Sequence, residues 1–163
     1  MTGRWTRSLL QALAVSGMLA ALPLFALPAR SAEPPRSRAL ATLVIPGDRL
    51  ADTFSGLTYA GHYRDGEAWT ERYRDDHSLA YRDEQGEMIG DWSIAGRTFC
   101  TIYRDSPTGG CFLIVQSSRN CFEFYFVARL PDEAALVSEL PAAWDARGWR
   151  TDLPSTCTGA LTS

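Results

Sequence analysis

Four cysteines, two histidines and a cluster of acids are the side chains of this sequence best suited to chemistry. Cys100, Cys111 and Cys121 are separated by ten and nine intervening residues among aromatic and β-branched neighbours, and Cys157 follows near the end. A catalytic thiol needs a histidine partner, and a zinc site needs paired C-x-x-C knuckles or clustered Cys and His. No two cysteines are that close, and neither His62 nor His77 lies near one. An even set of this kind is read first as two disulfides, with metal binding and a free thiol as the weaker readings.

Four cysteines allow three pairings. Cys100–Cys111 with Cys121–Cys157 is favoured, the first closing a hairpin around "RDSPTGG" and the second tying the tail to the last strand. One difficulty stands against it. A tight loop over 105–110 would set Arg104 opposite Cys111 and leave Cys100 roughly 13 Å further along its strand. A disulfide cannot span that distance, so the pairing requires a bulged or wider connection starting near Thr101. The connectivity stays open at this point.

The histidines each sit beside acids, His62 before "YRDGE" and His77 after Asp75-Asp76. That company suits a general base or a metal ligand. His62 falls mid-strand and His77 in a turn two strands on, so no pattern puts them on one surface. Glu67, Glu71, Asp75, Asp76, Asp83, Glu84 and Glu87 would supply the paired carboxylates of a hydrolase, but most fall in turn segments and read as a solvated rim. G-x-S-x-G, Walker, H-E-x-x-H and dinucleotide motifs are absent. No residue is assigned a catalytic or metal-binding role, and no cofactor is expected.

The aromatics are more suggestive. Tyr59, Tyr63, Trp69, Tyr73, Tyr81, Trp92 and Tyr103 run through the middle of the chain with arginines interleaved. They are either barrel core or the lining of an apolar ligand cavity, for which Tyr59, Tyr63, Trp69, Tyr73 and Trp92 are the candidates.

The elements that must position these groups can be read from the chain's punctuation. Arg4 and Arg7, the apolar stretch 9–27 and the small residues of "ARSAEPP" have the layout of a secretory signal over 1–31. It is expected to be cut after Ser31 or Ala32, with an uncleaved anchor as the rival, and no span is expected after cleavage. Residues 32–47 read as a flexible arm. "DRLADTFSG" (48–56) then offers an N-cap acid, Asp48, apolar Leu50 and Phe54 four apart, and a terminating Gly56, which predicts a short helix.

From residue 57 short apolar or aromatic runs alternate with turn residues: 57–63, 67–73, 78–82, 88–94, 97–103, 111–116 and 121–128. Seven runs so closely spaced predict an antiparallel meander forming a small up-and-down, lipocalin-like barrel or a curled sheet. In the last run Phe122, Phe124 and Phe126 share one face, and Cys121, Glu123 and Tyr125 the other. A helix is expected over 131–140, followed by "AAWDARGW" and a turn-rich tail, all within one domain, 48–163.

Charge narrows the partners. Sixteen arginines and no lysine stand against nineteen acids, a formal −3. Loss of 1–31 removes Arg4, Arg7 and Arg30 and leaves thirteen against nineteen, −6. An acidic domain without a basic run is a poor partner for nucleic acid or for an anionic membrane surface. The absence of lysine excludes Schiff-base chemistry on that side chain.

The stretches "ADTFSGLTYAGHYRDGEAWTERY" and "GDWSIAGRTFC", with Cys111 and the strand after it, resemble a family of secreted bacterial proteins catalogued as domain of unknown function 995. The resemblance covers about residues 48–127. Gly90, Trp92, Cys100 and Cys111 match its outline of a G-x-W leading into a strand with the first cysteine, then a second cysteine after a loop. Cys121, the C-terminal helix and Cys157 depart from it. The resemblance implies export and a small β-rich fold, and no catalytic residues.

The expectation is therefore a monomeric periplasmic or secreted protein, stapled by disulfides and acting without catalysis as a binding or envelope-associated accessory protein. Its partner would be another protein or a small apolar ligand. The alternatives are a lipocalin-like carrier and an inhibitor module for an envelope hydrolase, whose probe would be the "RDSPTGG" loop.

Overall fold

The computed structural model describes residues 42–106, 109–137 and 139–157. The expected signal and the first part of the arm lie outside them. The chain enters through α1 (Gly47–Phe54) and then runs through β1 (Thr58–Tyr63), β2 (Ala68–Tyr73), β3 (Ser78–Arg82) and β4 (Glu87–Ala95). It continues through β5 (Thr98–Tyr103), β6 (Gly109–Ser118), β7 (Cys121–Ala128), the single turn α2 (Pro131–Ala134) and β8 (Ala146–Arg150). Each strand pairs antiparallel with the next, and β8 pairs with both β7 and β1, so the sheet closes into an eight-stranded barrel. Closure removes the exposed sheet edges that a curled meander would leave.

Alternation fixes which side chains face inward. Phe122, Phe124 and Phe126 of β7 point into the barrel with Trp69 and Tyr73 of β2 and Phe99 of β5, whereas Tyr125 packs outside with Leu113 and Val115. The α1 helix plugs one end. Leu50 and Phe54 are fully buried, and the Phe54 ring stacks on Phe99 at 4.4 Å and meets Tyr59 and Tyr73 at 4.8 and 5.4 Å. Asp48 sits in the first helical turn and Pro46 takes the N-cap, while Gly56 turns the chain at φ +74°. The end of the expected arm is anchored: Val44 bridges to Val115, and the Ile45 N–H donates to the Ile114 carbonyl.

Two expectations for the C-terminal part are corrected. The helix expected over 131–140 is one turn long. Beyond it Val137, Leu140 and Trp144 pack on the outer surface of β6 and β7. The segment expected to follow as "AAWDARGW" instead contains β8, whose Gly148 lies opposite Gly61 of β1 and Phe122 of β7.

Both disulfides form in the favoured pairing, Cys100–Cys111 and Cys121–Cys157. The anticipated difficulty disappears because Gly109 and Gly110 belong to β6. Ile102 pairs with Gly109 and Thr101 with Gly110, which brings Cys100 directly across from Cys111 with 4.0 Å between Cα atoms. Gly109 has φ +96°, and a Cβ there would collide with the Thr101 carbonyl, so this register depends on glycine. Cys121–Cys157 draws the tail onto the plugged end. Buried Asn120 holds that tail, donating toward the carbonyls of Arg150, Leu153 and Pro154 at 3.1 Å and accepting from the Arg150 N–H at 3.0 Å.

Among the described residues no helix is long and apolar enough to cross a membrane.

Candidate functional site

With one end filled by α1, the interior toward the other end holds a cavity of about 590 Å³. Its wall comes from inward positions of β1 to β8. Its mouth is set by the 64–67 and 83–86 loops, the end of β5 through Ser106 and the β7–β8 connection, which contribute Glu67, Asp83, Ser106, Arg129 and Asp145. Two facing strands each give up one inward side chain to make room for the Trp69 ring of this wall. Gly61 and Gly148 lie opposite one another, and a Cβ on either would strike the Trp69 indole. That indole is 95% buried, meets the Phe124 ring edge-on at 5.7 Å and has an N–H with no acceptor among the described residues.

At the base of the cavity a carboxyl group stands where the pattern calls for an apolar side chain. Glu71 points inward from the middle of β2, between Trp69 and Tyr73, and is 6% exposed. Its Oε2 accepts the Tyr73 hydroxyl at 2.7 Å and its Oε1 accepts the Tyr103 hydroxyl at 2.9 Å. Burial dominates its titration and pushes the carboxyl up from 4.5 to about 7, against the opposing pull of the two phenols. Burial, joined by the neighbouring Glu71 charge, likewise pushes the Tyr73 and Tyr103 phenols well above their ordinary value, so both remain donors. Nearer the mouth Tyr63 and Tyr81 share a hydrogen bond of 3.1 Å. Arg129 lies over the Phe126 ring at 5.0 Å and donates to the Gly109 carbonyl.

Of the five residues expected to line a ligand cavity, Tyr63, Trp69 and Tyr73 do so. Tyr59 and Trp92 belong to the plugged end instead. The Tyr59 hydroxyl donates to the Thr53 carbonyl of α1 at 2.8 Å, and the Trp92 indole donates to the Arg74 carbonyl at 2.8 Å while stacking on Phe99.

The histidines are not brought together. His62 points outward near Trp144 and Trp149, its pKa lowered by burial and by Arg147. His77 occupies the β2–β3 turn at φ +67° with its ring 4.5 Å from Trp92. No cluster of His, Cys, Asp and Glu among the described residues could hold a metal ion.

Glu71 is the site residue that the sequence reading misplaced. It was grouped with the rim acids, but β2 alternates as Trp69, Glu71, Tyr73, and that period of two already put it on the aromatic face.

Comparison with known proteins found no matching family model, no similar curated protein and no similar solved structure.

Proposed function

We propose that this protein is an exported binding protein of the lipocalin-like kind, carrying a small and largely apolar ligand inside the barrel. The observation that carries the reading is the ring-lined cavity of about 590 Å³, open opposite the α1 plug. Sites for small molecules are concave, mostly apolar and in this size range, with few polar groups to orient the guest. The signal-like layout of 1–31 and the two disulfides support export, and with it a carrier that works in the periplasm or outside the cell.

Native mass spectrometry of the mature protein, purified from its own source under non-denaturing conditions, tests this. A bound mass that disappears on unfolding is expected. A protein that purifies empty, and that also leaves apolar fluorescent probes unbound, refutes the carrier reading.

One observation favours a second reading. A buried carboxyl titrating at about 7 suits general acid–base catalysis. The two differ in outcome, since a carrier returns its ligand unchanged after incubation and an enzyme does not.

A further inference from the structure

Resting on the carrier reading, we infer that the ligand is an organic cation, an ammonium head seated at Glu71 within the aromatic cup. Three features of the cavity converge on this chemistry.

The first is an uncompensated buried acid. Glu71 is held by two phenol hydroxyls, and no arginine among the described residues forms an ion pair with it. A carboxylate withdrawn from water without a counter-charge is costly, and an apolar residue in its place would cost nothing of the kind. The other glutamate buried among the described residues, Glu123, has its counter-ion, Arg147, at 2.7 Å. The missing cation at Glu71 is the ligand.

The second is the wall. Tyr63, Trp69, Tyr81 and Phe124 line the same cavity as the carboxyl, and the Tyr81 and Tyr103 rings lie 5.3 Å apart. Aromatic faces attract cations through their negative quadrupole, and the attraction is greatest where water is excluded.

The third is the charge at the mouth. Glu67, Asp83 and Asp145 line the mouth together with the guanidinium of Arg129, which is already engaged by Phe126 and the Gly109 carbonyl. Asp145 is itself bonded, to the Phe126 N–H and Arg64. A fatty acid or other anion would have to pass this rim and then meet Glu71, whereas a cation is drawn in.

Binding should also depend on pH. The cation requires the ionised carboxyl, which forms as pH rises through about 7. Tyr73 and Tyr103 contact Glu71, and the other titratable or charged groups lining the cavity are Tyr63 and Tyr81, the mouth acids and Arg129; burial keeps all four phenols protonated there. No histidine lines the cavity.

The test uses three probes of similar size on the mature, oxidised protein by calorimetry at pH 8: phenyltrimethylammonium, its uncharged isostere tert-butylbenzene, and benzoate. Phenyltrimethylammonium is expected to bind at least tenfold more tightly than either of the others. That advantage should shrink about tenfold per pH unit below 7 and disappear in Glu71→Gln, a variant that must still take tert-butylbenzene. If tert-butylbenzene or benzoate binds the unaltered protein as well as the cation does, the cation assignment is wrong and the carrier reading survives. If none of the three binds, both fall.

Discussion

Two glutamates are buried in this barrel on opposite faces of its sheet, and the protein handles them differently. Glu123, on the outer face of β7, accepts from Arg147 at 2.7 Å and from the Tyr125 hydroxyl at 2.8 Å, with the guanidinium packed on the Trp144 ring at 4.6 Å. Glu71, on the inner face of β2, has hydroxyl donors only and opens on a cavity. The outer carboxylate has its counter-charge and fastens β7 to β8, although the Arg147 Nε has no acceptor among the described residues. The inner one is an unfinished pair, and a cost of that kind is characteristic of a functional position.

The largest expected effect tests the outer pair. Glu123→Gln leaves the Arg147 charge nearly buried without its partner and should lower the unfolding free energy by about 3–5 kcal/mol. Urea denaturation at pH 7 measures it. A loss below about 1 kcal/mol would mean that the pair behaves as a surface contact and that the contrast is false.

At Glu71 the expected sign is reversed. The folded-state carboxyl titrates at about 7 and the free group at 4.5, so between those values the folded state holds a proton that the unfolded chain has released. The stability linked to Glu71 is fully present below about pH 4.5 and is lost as pH rises to about 7, a change of about 3 kcal/mol. Glu71→Gln removes that penalty. The variant should match the unaltered protein near pH 4 and exceed it by about 3 kcal/mol at pH 8, read from denaturation curves at the two pH values. Equal differences at both would show that Glu71 ionises as easily in the barrel as in water.

The same two residues show how far the sequence could be read. Seven of the eight strands were visible as short apolar or aromatic runs between turn residues, and β7 lies where its alternating phenylalanines put it. The eighth strand was not visible. "ARGWR" is short and rich in arginine, and only pairing with β7 and β1 makes it a strand. Propensity likewise favoured a helix over 131–140, but Val137 and Leu140 gain more by lying against β6 and β7 than by continuing the turn. For the disulfide, Gly109 and Gly110 read as loop because glycine usually marks a turn, although here glycine permits the close strand register. Of the cavity, the aromatic lining was partly legible. Its uncompensated charge was not, because whether an inward acid meets an arginine depends on strands far apart in the chain.

The smallest effects are the most discriminating. Tyr73→Phe and Tyr103→Phe each remove one hydroxyl from Glu71 and leave a ring in place. In Tyr73→Phe the packing against Phe54 at 5.4 Å and Phe99 at 5.0 Å is retained, so any change comes from the lost donor. A hydrogen bond to a charged group contributes about 1.5–3 kcal/mol and one to a neutral group about 1 kcal/mol. Each variant should therefore lose about 1 kcal/mol more stability at pH 8, where Glu71 is ionised, than at pH 5, where it is protonated. In a Glu71→Gln background the extra loss should vanish, because no charge remains to be stabilised. A pH-independent loss in both backgrounds would mean that the phenols serve packing alone. Hydroxyls that matter only when Glu71 is charged would show that the barrel keeps a carboxylate available inside its cavity, which a cationic guest requires and a purely apolar one does not.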